Sequence, residues 1–162
     1  MTDAEHANTL RELTEDIKLA MLTTVDEHGH LTARPMAQQQ VEGDNDLWFF
    51  VERDSPTVRN IAAQPQAGVS LSSNDTWISL SGTAEVVDDD AKAKELWNQG
   101  VEAWLPQGPE DASVVLIHFH AEAGEYWTSP GGRVTTALSF AKAKVTGQRF
   151  EGGASETVDL SS

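Results

Sequence analysis

From Trp77 to Val87 apolar and polar residues alternate, with Ile78 and Leu80 on one side and Trp77, Ser79 and Ser81 on the other. A period of two belongs to extended chain, whose successive side chains point to opposite faces, so this segment is a long strand with one face buried. Gly82 inside it marks a bulge or a close approach by a ligand. Similar segments recur. Leu19 to Val25 and Leu31 to Gln39 form a hairpin across the turn Asp26-Glu27-His28-Gly29-His30. Gly43-Asp44-Asn45-Asp46 turns the chain into Leu47-Trp48-Phe49-Phe50-Val51, an apolar run too short for a helix of its own and rich in strand-favouring residues. Ala67 to Ser72 and Val114 to Trp127 bring the count to six strands.

Helical spacing is confined to short stretches. Ala7, Leu10, Leu13 and Ile17 mark an amphipathic helix over residues 4–18. Asp54-Ser55-Pro56 opens a second through about Ala63, with Ser55 as N-cap and Pro56 at the first helical position. Asp88-Asp89-Asp90 caps a third through about Trp97, and Ala137, Phe140, Ala141 and Lys144 space a last one over Thr136 to Val145. Gly100 to Pro109 reads as irregular, and the polar tail allows a short strand at Thr157 to Leu160. The expected fold is therefore mainly β, an antiparallel six-stranded sheet curling into a barrel with peripheral helices.

A chain of 162 residues suits one domain, with a core over about 13–147 and a tail over 148–162. At that length folding buries roughly 70% of the unfolded surface, enough for a core without staples. The absence of cysteine excludes disulfides, thiolate catalysis and Cys-ligated metals, and fits a reducing cytosol. The acidic start Met1-Thr2-Asp3-Ala4-Glu5-His6 carries no apolar leader, and no apolar run approaches membrane-spanning length, so a cytoplasmic protein is expected. With 26 acids against 11 bases the net charge is −15, which argues against nucleic acid or anionic lipid as partner. Dense carboxylates also suit a high-salt cytosol.

Against that field, a local positive spot stands out. Arg34 projects from a strand whose next residue, Pro35, has no N–H to give to a ladder, so the strand lies at an edge or beside a ligand. The helix start at Ser55 attracts anions through its free N–H groups and dipole, and an Arg on a neighbouring strand suits the same phosphate.

Arg34-Pro35-Met36, the aromatic strand, Ser55, the run Ser81-Gly82-Thr83-Ala84-Glu85-Val86, Trp97, Trp104-Leu105-Pro106 and Glu125-Tyr126-Trp127 together resemble the pyridoxamine 5′-phosphate oxidase-like split barrels that bind FMN, most closely their general stress protein branch. The resemblance spans about Leu13 to Gly147 and rests on order and spacing. It implies a homodimer with two equivalent flavin sites at the interface, holding FMN, with FAD or a deazaflavin as alternatives. It also implies that Arg34 contacts the phosphate and Ser55 caps it. Pro35, Met36, Phe49, Phe50 and Val51 would line the isoalloxazine with side chain and backbone, and Trp127 would pack near the ring across the interface.

Two departures from the family pattern follow. Thr57 stands where the family usually places a Lys beside the phosphate, leaving Arg53 or Arg59 as replacements. After Trp127 the chain reads Thr128-Ser129-Pro130-Gly131-Gly132-Arg133 in place of the segment that holds pyridoxal phosphate, which argues against the vitamin B6 oxidase reaction.

Paired histidines, His28 with His30 and His118 with His120, are candidate metal or haem ligands, but no carboxylate or third His is placed by the sequence to complete a site. Asp88-Asp89-Asp90 is explained by a helix start as well as by a cation. Trp48, Trp77 and Trp97 are expected in the core or at an interface, Trp104 and Trp127 at a ligand or a second subunit. No hydrolase triad, P-loop or zincin pattern is present, and none is needed where a flavin carries the redox chemistry. Two functions stay open: a flavin-dependent oxidoreductase of unknown substrate, or a non-catalytic flavin-binding stress protein. A haem- or metal-binding split barrel is a third.

Overall fold

The computed structural model describes residues 2–43, 46–129 and 154–161. The six expected strands are β1 (Leu19–Val25), β2 (Leu31–Ala37), β4 (Asp46–Glu52), β5 (Gln66–Ser72), β6 (Thr76–Val87) and β7 (Val114–Thr128). Two more join them, β3 (Gln40–Glu42) and β8 (Ala154–Asp159), the latter starting three residues before the stretch the sequence allows. All pair antiparallel in one sheet of order β2-β1-β5-β6-β7-β4-β3, with β8 added to β7.

The sheet does not close by hydrogen bonds, because no ladder joins its end strands β2 and β3. It curls until β2 approaches β4. The crossing is made by two residues. Gln38 N–H donates to the Lys18 carbonyl (2.9 Å), and the next amide, Gln39 N–H, donates to the Trp48 carbonyl (2.9 Å). One peptide bond thus leaves the β1 side of the frame and enters the β4 side. The sequence carries the β2 alternation through Gln39, whereas the strand ends at Ala37, because these amides turn to opposite partners.

The inner face is apolar as the alternation requires. Ala20, Leu22, Leu47, Phe49, Val69, Leu71, Ile78, Leu80, Ile117 and Phe119 are buried together. At roughly 1.5–3 kcal/mol for each large side chain removed from water, this cluster dominates the stabilisation of the frame. Gly82 sits at a register shift in the β6–β7 ladder, and a Cβ there would stand 1.9 Å from the His120 carbonyl oxygen. The glycine therefore serves a bulge against β7.

Helix α1 (Asp3–Glu15) starts at a capping box between Thr2 and Glu5 and buries Leu10. Leu10 leans over Gly124, where a Cβ would meet its Cδ2 at 2.6 Å. Helix α2 (Pro56–Ala63) begins as expected, with the Ser55 hydroxyl accepting from Val58 N–H. Helix α3 (Asp90–Leu96) is capped by Asp89, while Asp88 pairs with Arg53, so helix capping and an ion pair account for two of the three acids. The segment expected to be irregular contains a short helix, α4 (Gln99–Trp104), capped by the Asn98 side chain. Gly100 near its start had weighed against a helix; the Asn98 cap and burial of Val101 overcome that cost. The helix expected over 136–145 lies outside the described residues. No helix among the described residues is long and apolar enough to cross a membrane.

Candidate functional site

The open seam between β2 and β4 gathers the chemistry that the sequence singles out. β3 covers the second edge of β4 only from Asp46 to Trp48, so on that side Phe49, Phe50 and Val51 have no strand partner among the described residues. Backbone polar groups at such an edge are open to a ligand. On the facing strand, Arg34 pairs in register with Leu22, and Thr32 with Thr24, which puts both on the inner side of the sheet. That is the side on which α2 packs, since Asn60 Nδ2 donates to Thr24 Oγ1 (3.1 Å) and Thr32 Oγ1 (3.3 Å). Arg34, two residues from Thr32, therefore stands on the helix face of β2, and α2 opens four residues after β4 ends.

Arg34 is exposed and has no hydrogen bond or ion pair among the described residues. In a chain this acidic, an exposed guanidinium with no ion pair among the described residues is available to an anionic ligand. At the helix start, Thr57 is 4% exposed and its hydroxyl has no hydrogen-bond partner among the described residues. Ser55 already spends its hydroxyl on Val58 N–H. The donor set of the Arg34 guanidinium, the Thr57 hydroxyl and the Thr57 N–H at the helix start suits a phosphate.

The ring-lining expectations divide. Met36 packs against the core, whereas Pro35 lies on the opposite face, paired with Met21. Phe49 and Val51 are buried, and Phe50 is partly buried and makes an edge contact with Trp97 at 5.2 Å. A ligand in the seam can therefore meet the backbone of this strand, while the Phe49 and Val51 side chains belong to the core. Trp127 pairs in register with Trp77 on the outer face, and the two are 37% and 44% exposed. Trp104 is almost fully exposed.

The histidine pairs take other roles. His28 and His30 sit at the solvated turn, where backbone N–H groups of both donate to Asp26 and hold its carboxyl below the usual range, His30 most strongly. His118 and His120 do gain carboxylates that the sequence could not place. Asp46 bonds His118 Nε2 (3.1 Å) and His120 Nδ1 (2.6 Å), and Glu85 bonds His118 Nδ1 (3.0 Å). His118 also stacks on Trp48, with centroids 4.5 Å apart. Among the described residues no group of His, Cys, Asp and Glu is arranged to hold a metal ion. On the far side of Trp48, Lys92 lies 4.9 Å from the ring centroid and bonds Glu42 (2.6 Å). Burial works against the Lys92 charge, but Glu42 and Glu95 outweigh it and raise its ammonium above the ordinary value.

A family model described as pyridoxamine 5′-phosphate oxidase like matches residues 5–151. The chain belongs to the pyridoxamine 5′-phosphate oxidase-like family. Among relatives of this family, Protein bli-3 of Neurospora crassa is 28% identical over 153 residues, covering 87% of this chain and 73% of that protein. A general stress FMN/FAD binding protein from Xanthomonas citri superposes with a TM-score of 0.62 at 30% identity, over 78% of this chain and 90% of that one. A protein related to general stress protein 26 from Clostridium acetobutylicum gives 0.68 at 23% identity, over 79% and 91% of the two chains. A heme binding protein from Mycobacterium smegmatis shares the fold, with a TM-score of 0.61 at 17% identity, over 74% of this chain and 52% of that one. The family's split barrel is the open antiparallel sheet described above.

Proposed function

We propose that this chain binds FMN in the seam between β2 and β4 and serves as a flavoprotein of the general stress type. The observation that carries this is Arg34, without a partner among the described residues, on the face of β2 to which α2 is bonded through Asn60 and Thr32. Family membership and the likeness to an FMN/FAD binding protein support it. Arg34 and the Thr57 hydroxyl would hold the phosphate, with Ser55 fixing the helix start. The β4 backbone at Phe49 to Val51 and the strand at Pro35-Met36 would border the ring. A bound flavin supplies electron transfer, and the residues here position it and limit water.

The outer face of the sheet supports a homodimer. Leu19, Met21, Trp77 and Trp127 are exposed there. In the paired rows from Pro35 to Thr157 and from Ser72 to Ser155, Glu125 is the one charged side chain. A sheet face with one charge in these rows, mixing exposed Met and Trp side chains with small Ser and Thr, fits a second copy in so acidic a chain, and an isologous contact would create two equivalent sites with Trp127 near the partner's ring. A cytoplasmic setting goes with this proposal.

Whether the flavin turns over decides between oxidoreductase and carrier. Purified protein loaded with FMN is mixed anaerobically with NADH or NADPH, then with an electron acceptor. Bleaching of the flavin band with sustained turnover supports the enzyme, and stable binding without reduction supports the carrier.

A further inference from the structure

We infer that Arg59, and not Arg53, supplies the second cation of the phosphate site, making up for Thr57 at the position where a lysine would stand. This rests on the proposal that the seam takes a phosphorylated ligand. The two arginines lie close in sequence but are committed differently. Arg53 Nε donates to the Ala112 carbonyl (2.7 Å) and its Nη2 to the Asp88 carboxylate (2.6 Å). It points toward the start of β7 and the residues ahead of α3, and its charge is neutralised by an acid. Arg59 sits in the second turn of α2, and its guanidinium folds back toward the helix start, where Nη1 donates to the Asp54 carbonyl (2.7 Å).

That single partner is a neutral oxygen, so the charge of Arg59 is not cancelled by an ion pair and its remaining N–H groups are available. It lies at the end of the helix where the dipole already favours an anion. Thr57, two residues earlier in the first turn, is buried as a residue, and its hydroxyl has no hydrogen-bond partner among the described residues. The planar guanidinium of Arg59, two residues further on and on the exposed side of the helix, is bonded to the backbone ahead of the N-cap, so it reaches the same end of the helix from the solvent side and can grip two phosphate oxygens at once.

The test compares affinities for FMN and riboflavin, which differ by the phosphate alone, in the wild type, Arg59→Gln, Arg59→Lys and Arg53→Gln. The wild type is expected to prefer FMN. Arg59→Gln should cut that preference by at least ~10-fold while leaving riboflavin affinity and apo melting temperature unchanged, and Arg59→Lys should restore part of it. Arg53→Gln should keep the full preference, even where losing its bond to Asp88 lowers the melting temperature. An Arg59→Gln protein that retains the wild-type FMN preference overturns the assignment, as does a collapse confined to Arg53→Gln. Equal affinity of the wild type for both flavins overturns the seam as a phosphate site, and Arg59 with it.

Discussion

Under the proposed function Arg34 and Thr57 would each contact the phosphate, and single substitutions separate their contributions. Arg34→Ala removes a charge-assisted contact worth roughly 1.5–3 kcal/mol, so FMN affinity should fall roughly 10- to 150-fold by fluorescence titration. The apo melting temperature should hold, since the side chain has no partner to lose among the described residues. Thr57→Val keeps the buried shape and removes the hydroxyl. It should weaken FMN several-fold, with riboflavin unaffected, when both are titrated. Arg34 and Ser55 were legible in sequence because a Pro beside an Arg and a Ser-Pro start each have local causes. The commitment of Arg53 to Asp88 was not legible, because it joins residues 35 positions apart. The same holds for Asp46, which the fold brings to His118 and His120 across 72 and 74 positions.

The elements were legible wherever a period was long enough to see. β6 and β7 announce themselves by alternation, whereas β3 is three residues long and exists because Gln38 and Gln39 send their amides to opposite strands. The Phe49-Phe50-Val51 run was legible as a strand, but which of its side chains are spent on packing was not, because the partners β7, α3 and α4 come from distant parts of the chain. Gly82→Ala tests the bulge. Its Cβ would meet backbone, which cannot swing aside, so a loss of about 1–3 kcal/mol is expected in denaturant unfolding.

The attachment of α3 carries a pH dependence. The Lys92 ammonium bonds the Glu42 carboxyl and holds it below the usual carboxylate range, against the opposing effect of burial. A depressed folded value means the pair stabilises the protein above the ordinary carboxylate range and is lost as pH falls through the folded value. Trp48 reports it, because its Nε1 donates to Glu42 and Lys92 lies over its ring. Trp emission should shift in acid before global unfolding. Glu42→Gln should abolish that early shift and cost no more than ~1 kcal/mol at neutral pH, given how much of the pair meets solvent.

For the whole molecule, the charge-poor outer face and the net charge of −15 act at different ranges. Short-range burial of Leu19, Met21, Trp77 and Trp127 favours a dimer, and long-range repulsion between two acidic copies opposes it, so association should tighten with salt. Sedimentation should give twice the 17.6 kDa chain mass, and Trp127→Asp should yield monomers. A monodisperse wild-type monomer at high salt would remove the dimer. The central claim is a phosphate-selective flavin site in the seam, and titrating purified protein with FMN and with riboflavin while following flavin fluorescence tests it most directly. Saturable quenching by FMN at one equivalent per chain, with riboflavin clearly weaker, is the predicted result; no saturable FMN binding, or equal binding of the two, would contradict it.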